Sequence, residues 1–571
     1  MILSEAVKIT LNKTTATVSG SGVKADGSTI TITEEGVYIV SGTLEDGQII
    51  VDASDSDKVQ IVLDGVHINC ETNAAIYVRE ADKVFITLAE NSSNTLGGGN
   101  EYTQIDDNTV DGVIFSKSDL VCNGTGSLTI EADYKHGIVS KDDLVITGGT
   151  YKIAAADNGI TAKDQIKILD GSFDIDAANS AVKAKNADNA ELGNIYIAGG
   201  IFTIEAEQDG FHATGSIVVD DGTITVNSGD DGFHAELDTV IHGGTILVEK
   251  SNEGLEGKRV VVNGGDITIN ASDDGINATN SGDDGANAIN PGANDAGSGD
   301  DDSNAASSND DSSAAVNSGD DGSISGAADG KEPPQMPPDT ENGSDMQPSQ
   351  DFDPENAPSG GNAPQDFDPG NAPSDGDAPQ MMQRGPGGGG NSELYIKITV
   401  SADGDGLDSN GGLLVTGGTT IVYGPTSDGD SALDYDGSAI VTGGTLAAIG
   451  SAGMTESFDE ASTQPVVTYY CTETQSADTT ITLTDSDGSA LFTVTPEKAY
   501  ASIVLTCPEM KLDATYTLAA GTDNEEITLT DIITTAGTRS VKTMSDPEGG
   551  KMPNNSDNKG TPPSKPSDTA E

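Results

Sequence analysis

Basic and aromatic residues are scarce in this chain. Among its 571 residues are 94 Asp and Glu but only 27 Lys and Arg, which gives a formal net charge of −67 at pH 7. Such a surface repels nucleic acid and anionic membranes, and it repels itself unless counter-ions bind. Tryptophan is absent and aromatic residues make up 4% of the chain. This argues against flat stacking on crystalline cellulose, because Trp offers the largest apolar face for such contacts.

Membrane, targeting and metal-binding cysteine patterns are also missing. The sequence has no apolar run long enough to cross a bilayer, and Met1–Glu5 lacks the basic and apolar parts of a signal peptide. We favour a mature or truncated start of a secreted protein, and we expect a secreted or cell-surface location. The four cysteines have no metal spacing; Cys471 and Cys507 could form a disulfide, and buried free thiols are an equal alternative.

Glycine, by contrast, is abundant and recurs with a period. A polar or acidic pair followed by Gly and an apolar residue places glycines at 210, 232, 254 and 275, in steps of 22, 22 and 21 residues. The same pattern occurs upstream at Gly137 and Gly159 and downstream at Gly406. Between the turns lie short alternating runs of Ile, Val and Thr, which are typical of strands with one buried face. Without Leu-rich strands or helical segments, this repeat predicts a parallel β-helix rather than leucine-rich repeats.

We therefore predict an all-β protein, a right-handed parallel β-helix with about 22 residues per coil. The first part of this solenoid spans residues 1–280 and its last coils span 393–459. Residues 460–540 have longer alternating strands and are expected to form a small C-terminal β cap. The Asp-, Ser-, Gly- and Pro-rich segments 281–392 and 541–571 cannot bury enough apolar surface to offset the entropy of ordering. We expect them to be a disordered insert and tail.

The acidic residues of the repeats predict a calcium site. Neighbouring strands lie about 4.8 Å apart, so acids that share a register position stack at near-contact distance and raise one another's pKa. Oxygen-only ligands at this spacing suit Ca²⁺, which takes about six to eight oxygens; solvated Asp-Gly turns are the alternative. The predicted metal ligands are Asp209, Asp230, Asp231, Glu253, Glu256, Asp273, Asp274, Asp403, Asp405 and Asp408.

Two further columns are candidates for ligand binding. Two residues beyond each turn glycine, outward-pointing side chains could complete a cation site or bind sugar hydroxyls, and a solvated polar stack is an equal alternative. This column comprises His212, His234, Glu256, Asn277 and Asp408. Four residues beyond the turn positions, stacked ammonium groups could meet the carboxylates of an acidic polysaccharide, although neutralisation by neighbouring aspartates is the simpler interpretation. That column comprises Lys141, Lys163, Lys185 and Lys258.

Several of these motifs occur together in a known family. They are the segments Ser228–Ala235, Asn252–Lys258, Ala271–Ala278, Gly36–Thr43 and Asp403–Asp408. In these segments the chain resembles secreted bacterial carbohydrate-binding proteins with a polysaccharide-lyase-like parallel β-helix, over roughly residues 30–540 apart from the insert. The resemblance implies calcium binding at the acids named above. It also implies association with plant cell-wall polysaccharides, including acidic pectic ones.

Residues and resemblance together predict a calcium-dependent carbohydrate-binding protein for acidic (pectic) or other plant cell-wall polysaccharide. A pectate-type lyase is the first alternative, because Lys258 and Arg259 lie two and three residues after Glu256 and that reaction needs calcium and a base. No second base candidate stands near, and we name no catalytic residue. A structural cell-surface adhesin is the second alternative. We expect a monomer that binds Ca²⁺ and an acidic polysaccharide, with no nucleic-acid partner and no membrane span.

Overall fold

The computed structural model describes residues 6–189, 191–279 and 395–539, together with the backbone of 287–289. Within these ranges the protein consists of β-strands and connecting turns, without an α-helix. Accordingly, none of the described residues belongs to a helix that could cross a membrane. Apart from 287–289, the predicted disordered insert and tail lie outside the described residues.

The strands are numbered in chain order, and many are only three to seven residues long. Those before the long polar segment are β1 (Val7–Lys13), β2 (Thr15–Val18), β3 (Val23–Asp26), β4 (Thr29–Ile32), β5 (Gly36–Leu44), β6 (Gln48–Asp52), β7 (Lys58–Cys70), β8 (Ile76–Glu80), β9 (Lys83–Leu88), β10 (Ser93–Gly98), β11 (Gly112–Ser116), β12 (Asp119–Gly124), β13 (Ser127–Ala132), β14 (His136–Ser140), β15 (Asp143–Ile146), β16 (Thr150–Ala155), β17 (Ile160–Ala162), β18 (Gln165–Ile168), β19 (Ser172–Ala177), β20 (Val182–Ala184), β21 (Asn194–Ile197), β22 (Ile201–Ala206), β23 (Phe211–Ala213), β24 (Ile217–Val219), β25 (Thr223–Ser228), β26 (Phe233–Ile241), β27 (Thr245–Ser251), β28 (Leu255–Val262), β29 (Gly265–Ala271), β30 (Ile276–Ala278) and β31 (Asn287–Ile289). Those after it are β32 (Ile396–Ala402), β33 (Leu407–Ser409), β34 (Leu413–Val415), β35 (Thr419–Tyr423), β36 (Leu433–Tyr435), β37 (Ala439–Val441), β38 (Thr445–Gly450), β39 (Val466–Gln475), β40 (Ile481–Thr484), β41 (Ala490–Val494), β42 (Tyr500–Thr506), β43 (Thr515–Ala520), β44 (Asp523–Thr528) and β45 (Ile533–Gly537).

Strands of successive repeats pair in parallel and build three long faces. Face 1 runs β8, β11, β14, β17, β20, β23, β26, β28, β30, β33 and β36. Face 2 includes β9, β12, β15, β18, β21, β24 and the second halves of β26 and β28. Face 3 runs β10, β13, β16, β19, β22, β25, β27, β29, β32, β35 and β38. This all-β, parallel arrangement is compatible with the predicted solenoid, whereas its right hand and its repeat length stay predictions.

The core lies between the faces, because alternate residues of each strand point inward. On face 1, Phe211 and Phe233 occupy the same register position, are fully buried and stack with ring centroids 4.7 Å apart. On face 3, Tyr151, Phe173 and Phe202 stack in the same way, at 5.1 and 4.7 Å. In these coils an aromatic side chain is therefore buried against that of the next coil, as expected where stability comes from nearest-neighbour contacts.

Two columns of glycine shape the corners for different physical reasons. Between faces 2 and 3, glycines such as Gly222 (φ +136°) adopt backbone conformations that side chains resist. Between faces 3 and 1 the constraint is space instead. A Cβ added to Gly232 would lie 2.6 Å from the carbonyl oxygen of Gly254 and 3.0 Å from Val248 Cγ2. The second column therefore allows adjacent coils to approach closely.

Gly232→Ala is expected to lower the free energy of unfolding by about 1–3 kcal/mol, because the added methyl group forces the neighbouring carbonyl to move. Urea unfolding measures this loss. The matched control is Gly429→Ala, where the nearest atom, Ser427 Oγ, is at an ordinary 3.5 Å. Equal losses in the two variants would show that close packing between coils does not explain the glycine at 232.

The long polar segment interrupts the chain without interrupting face 3. Strands β29 and β32, which flank it, pair directly in parallel, with Ile267 opposite Ile398. Within the predicted insert, β31 pairs in parallel with β34. The chain thus still contributes a strand beyond the predicted boundary at residue 280, because the backbone at 287–289 completes a three-stranded parallel sheet with β34 and β37.

After β38 most strands pair antiparallel, although β39 and β45 pair in parallel. Strand β42 pairs antiparallel with β38 and β39, and β41, β40, β43 and β44 form a four-stranded antiparallel sheet. A second hydrophobic core, which includes Tyr469, Tyr500 and Leu518, lies here. Cys471 and Cys507 are buried and free, so the structure shows the second of the two alternatives for these cysteines. The antiparallel strands fall within residues 460–540, for which we predicted a cap.

Candidate functional site

The acids of the repeats collect at the corner where face 3 turns into face 1. We call Asp209, Asp231, Glu253, Asp274 and Asp405 the acidic column; each precedes its face 1 strand by two residues. The corner backbone repeats from coil to coil, since Gly210 N donates to Asp231 O at 2.9 Å and Gly232 N donates to Glu253 O at 2.9 Å. The apolar residue that begins each strand is buried, and this fixes the register of the acids.

A second polar column runs beside the first on the outer side of face 1. Parallel pairing places in successive register His212, His234, Glu256, Asn277, Asp408 and Asp434. We call these residues the outer column. Their side chains alternate with buried neighbours, as the period of two in a strand requires. The structure thus brings the predicted outward residues together, and it adds Asp434 to them.

Carboxylates of the acidic column also support the backbone of the next coil. Asp231 Oδ1 accepts a hydrogen bond from Glu253 N at 3.3 Å, and Asp274 Oδ1 accepts one from Asp405 N at 2.7 Å. Asp231 is only 6% exposed, so this bond is shielded from water. One oxygen of each carboxylate is therefore used inside the corner, and the second is left for other partners.

This structural bond does not require a negative charge. In an earlier coil Asn158 stands at the same corner position, and its Oδ1 accepts from Ser180 N at 3.2 Å. A neutral amide oxygen is sufficient there. The charge of the acids in later coils therefore needs an explanation other than the turn, which weakens the alternative of ordinary Asp-Gly turns.

Two histidines contact carboxylates at the N-terminal end of the column. His212 Nδ1 lies 2.8 Å from Asp209 Oδ2, and His234 Nδ1 lies 2.9 Å from Asp231 Oδ2. His234 Nδ1 also contacts Glu256 Oε2. The two imidazole rings are nearly parallel, with centroids 4.8 Å apart. Each imidazole ring therefore contacts at least one carboxylate of the corner, and the two rings stack on each other within the outer column.

The pKa values follow from these contacts. Hydrogen bonds to Asp231 and Glu256 raise the pKa of His234 to about 10. Burial acts to raise the pKa of Glu256, but the bond to His234 lowers it overall. Burial raises the pKa of Asp231 to about 6, although its hydrogen bond to His234 acts in the opposite direction. At this end the protein itself supplies positive charge to its carboxylates.

Farther along the chain the site contains only oxygen donors. We call Glu253, Asp274, Asp405, Asp408 and Asp434 the oxygen-only end. Burial, with neighbouring carboxylates adding to it, raises the pKa of Glu253 to about 8, of Asp408 to about 7 and of Asp274 to about 6. Among the described residues, these three carboxylates form no ion pair with Lys, Arg or His; Glu253 Oε2 accepts from Asn277 Nδ2 at 3.1 Å.

The sequence analysis missed the last members of this end. Asp434 lies in register with Asp408, and the nearby Glu456 has a buried Oε2 atom without a hydrogen-bond partner. Burial and the charge of Asp434 raise the pKa of Glu456. The turn before β36 contains Ser431 and Ala432 instead of an acid and a glycine, so the repeat motif did not show it. The available signal was an apolar residue followed by an acid, since Leu433 precedes Asp434 as Leu407 precedes Asp408.

Other predicted metal ligands lie at the edge of the site or outside it. Asp230 is exposed, but one of its oxygens lies within 4.8 Å of carboxylate oxygens of Asp209 and Asp231. Asp273 is exposed beside Asp274. Asp403 forms an ion pair with Lys498 at 2.7 Å. Its carboxylate is thus paired with a cation from the C-terminal region, and its role as a metal ligand stays a prediction.

The four predicted lysines do not reach the acidic column. Lys141 pairs with Asp111 at 3.0 Å, and Lys163 pairs with Asp188 at 2.9 Å. Both acids lie in connecting segments, so neutralisation occurs but through partners distant in sequence. Lys185 and Lys258 are exposed on the surface. A role of these lysines in ligand binding stays a prediction.

Lys183, which was not predicted from the sequence, extends the outer column by one register position at its N-terminal end, to seven positions. It pairs in register with His212, and it is half-buried, so that burial lowers the pKa of its ammonium group. Its Nζ is 3.5 Å from Ser180 Oγ. The signal was present in the sequence, because Lys183 stands two residues beyond the turn position Ala181.

Residues 26–303 match a family of carbohydrate-binding domain-containing proteins. A carbohydrate-binding domain-containing protein from Acetivibrio thermocellus is 38% identical over 136 residues, or 24% of this chain and 48% of that protein. The match thus spans about half the length of that relative. A solved polysaccharide lyase-like protein from C. thermocellum, a gadolinium derivative, is 31% identical; the alignment covers 41% of this chain and 96% of that one, with a TM-score of 0.41.

The family match supports the predicted resemblance to carbohydrate-binding proteins. The matched segment includes the N-terminal end of the site and part of the oxygen-only end, from Asp209 to Asn277. Calcium binding, secretion and the preference for pectic polysaccharide stay predictions.

Proposed function

We propose that this protein binds an acidic polysaccharide and that Ca²⁺ at the oxygen-only end bridges its carboxylates to those of the sugar. The observation that carries the proposal is the set of half-buried acids Glu253, Asp274 and Asp408. Their pKa values are raised to about 8, 6 and 7, and no basic side chain of the described residues pairs with them. Similarity to carbohydrate-binding proteins supports the class of ligand.

Calcium fits these donors better than an organic cation. It takes about six to eight oxygen ligands at flexible geometry, and stacked strands supply carboxylates about 4.8 Å apart. A single row of side chains on one face leaves part of that coordination shell open. Carboxylates and hydroxyls of a polysaccharide are suitable oxygens for those positions, so the ion joins two negatively charged surfaces that otherwise repel each other.

The outer side of face 1 provides a surface of suitable length. Upstream, this side of the face is covered by a small cluster that includes Tyr77, Phe115 and Val139. From Lys183 to Asp434 the outer column has seven register positions, which at about 4.8 Å per step extend for about 29 Å. An extended chain of several sugar units fits along this surface.

The lyase alternative needs a base beside the calcium ligands. Arg259, one of the two basic residues considered for that role, is engaged with Asp238 through two hydrogen bonds of 3.2 and 2.5 Å, and Lys258 is exposed. Its guanidinium is thus held by a carboxylate on the second half of the neighbouring strand β26. Binding without bond cleavage is the function that the site supports best.

Calorimetric titration of short oligogalacturonides, with calcium and with chelator, tests the proposal. We expect saturable binding in calcium and at least about tenfold weaker binding in chelator, a difference of about 1.4 kcal/mol or more. Fully methyl-esterified oligomers are the matched ligand without carboxylate charge, and they are expected to bind weakly in both conditions. Asp408→Asn is expected to lose the calcium effect.

Equal affinity with calcium and with chelator would overturn the bridging role of the ion. Absence of binding in both conditions would leave cations as structural elements and would favour the adhesin alternative. The control variant is Asp221→Asn, since this acid lies exposed at the corner between faces 2 and 3 and accepts a hydrogen bond within its own turn, from Gly222 N at 2.7 Å.

A further inference from the structure

The N-terminal end of the site has a donor set unlike that of the rest. His234, Asp231 and Glu256 each present one donor atom, and the three atoms lie within 4.8 Å of one another. Two of these contacts are direct, because His234 Nδ1 lies 2.9 Å from Asp231 Oδ2 and also contacts Glu256 Oε2. Asp231 lies in the turn before β26, His234 on β26 and Glu256 on β28 of the next coil, so the parallel pairing of β26 and β28 brings the set together.

We propose that His234, Asp231 and Glu256 form a second metal site, selective for a divalent transition metal such as Zn²⁺ over Ca²⁺. An imidazole nitrogen and two carboxylate oxygens suit zinc, whereas calcium prefers oxygen ligands alone. The column thus contains two chemically different ends, a nitrogen-containing one and an oxygen-only one. This inference rests on the three side chains named and does not require the calcium proposal.

The three donor atoms are already close enough for one ion. Bonds of about 2.1 Å in a tetrahedral shell place ligand atoms about 3.4 Å apart, so an ion moves the donors of His234 and Asp231, now 2.9 Å apart, slightly away from each other, and likewise those of His234 and Glu256. Asp231 is also held in place from behind, since its Oδ1 accepts from Glu253 N. Such support by an outer hydrogen bond is typical of metal-binding carboxylates.

The three side chains also leave room for a further ligand. The side chains of Asp231, Glu256 and His234 are 8%, 18% and 24% exposed. The donors are therefore sheltered on the protein side and open on the outer side of face 1. A water molecule, or an oxygen of a bound sugar, can complete a four-coordinate shell there.

His212 and Glu236 lie beside the three donor residues but are not further ligands of the same ion. The ring of His212 stacks parallel to that of His234 at 4.8 Å, so a single ion cannot lie in the plane of both rings at bonding distance. Glu236 Oε1 lies 3.9 Å from His234 Nε2, on the opposite edge of the ring. These contacts hold the His234 ring in its orientation and leave Nδ1 for the metal.

The competing explanation is that a protonated His234 neutralises Asp231 and Glu256 and that no metal binds. Zinc competition against a chromophoric chelator distinguishes the two, using the full chain with calcium in excess so that oxygen-only positions are saturated. We expect one zinc ion that excess calcium does not displace. His234→Gln is expected to weaken its binding at least about tenfold, the minimum seen even for supporting residues of metal sites.

His242→Gln is the matched control, because His242 Nδ1 pairs with an exposed Asp220 at 2.7 Å on another face. It is expected to leave zinc affinity within about twofold of the native value, a change of less than half a kcal/mol. Glu256→Gln serves as a second variant if His234→Gln fails to fold. Cobalt substitution adds a spectroscopic check, since its visible absorption bands are expected in the native protein and not in His234→Gln.

Native protein that takes up no zinc in excess calcium would overturn the inference, as would equal weakening by His234→Gln and His242→Gln. Failure of the calcium proposal gives a different result. In that case oligogalacturonide binding is independent of calcium, while zinc binding and its loss in His234→Gln are unaffected. Asp408→Asn separates the two sites further, because it is expected to leave zinc affinity unchanged.

Discussion

Replacing Asp274 and Asp408 together by Asn is expected to lower the melting temperature in calcium and to raise it in chelator. In calcium the variant loses ligands of the ion. An ion present at about 100 times its dissociation constant stabilises the folded state by about 2.7 kcal/mol, and the variant forfeits up to that amount. In chelator the same change removes two half-buried charges that face other carboxylates, so the folded state gains stability.

The pH dependence of the native protein in chelator has the same origin. Asp408 faces Asp274, Asp405 and Asp434, and its pKa is raised to about 7, whereas that of Asp274 is raised to about 6. A carboxyl whose folded pKa exceeds its unfolded value near 4 binds more protons when folded. Its stabilising effect is complete below about pH 4 and is lost as pH rises through the folded pKa.

We therefore expect the melting temperature in chelator to fall between about pH 4 and 7, and to fall less in the double variant. His234, with a pKa raised to about 10, adds a decline above about pH 6.5 in both proteins. The difference between variant and native protein isolates the two acids. Saturating calcium is expected to flatten the native profile, because bound carboxylates stay ionised.

The matched control for this experiment is the double variant Asp170→Asn and Asp221→Asn. It removes the same charge from another corner, where each carboxylate accepts a hydrogen bond of 2.7 Å from the glycine that follows it. We expect equal melting shifts in calcium and chelator. If the control variant also lowered the melting temperature in calcium and raised it in chelator, the effect would be due to net charge and not to the loss of calcium ligands. Equal loss by Asp274→Asn and Asp408→Asn in both conditions would exclude calcium as the reason for these acids.

Which residues of the site point inward and which point outward was predictable from the sequence. A fixed turn followed by strand alternation places one residue inward and the next outward, so Phe211 and His212, or Phe233 and His234, had to lie on opposite sides of face 1. The parallel pairing then brings equivalent positions together. The alternation of inward and outward residues, repeated from one coil to the next, was therefore sufficient to predict both columns.

Contacts that depend on side-chain direction or on loop length were not predictable. Asp231 uses one oxygen for the next coil and the other for His234. This arrangement depends on how closely the coils approach at the corner, which a sequence motif does not show. Lys141 pairs with Asp111, an acid in a connection whose path the repeat does not define. Asp434 was missed because its turn departs from the motif, although the strand after it keeps the register.

Phe233→Ala is expected to destabilise its own and the adjacent coils by about 3–5 kcal/mol, the usual cost of deleting a buried Phe side chain. The ring is fully buried and stacks on Phe211 at 4.7 Å with an interplanar angle of 12°. In a stacked array, stability is a sum of terms between neighbours. The cavity therefore weakens β23, β26 and β28 first, and opening of these strands requires less free energy than opening of distant coils.

Hydrogen exchange of backbone amides resolves this effect along the chain. Amides of β23, β26 and β28 are expected to exchange faster in Phe233→Ala, by a factor that corresponds to the lost free energy. Strands β40 and β43 of the C-terminal region belong to a second core and are expected to keep their protection. The control variant is Leu169→Ala, whose side chain is 45% exposed, so that its effect is within about 0.5 kcal/mol.

The distribution of lost protection decides between two descriptions of the molecule. Faster exchange confined to the coils around Phe233 means that the site can loosen locally while the rest of the solenoid stays folded. A uniform loss that includes β40 and β43 would contradict the nearest-neighbour description, because it would show one cooperative unit. In the local case, an ion bound by stacked residues of several coils resists their separation, so calcium is expected to restore much of the protection lost around β28 and β30.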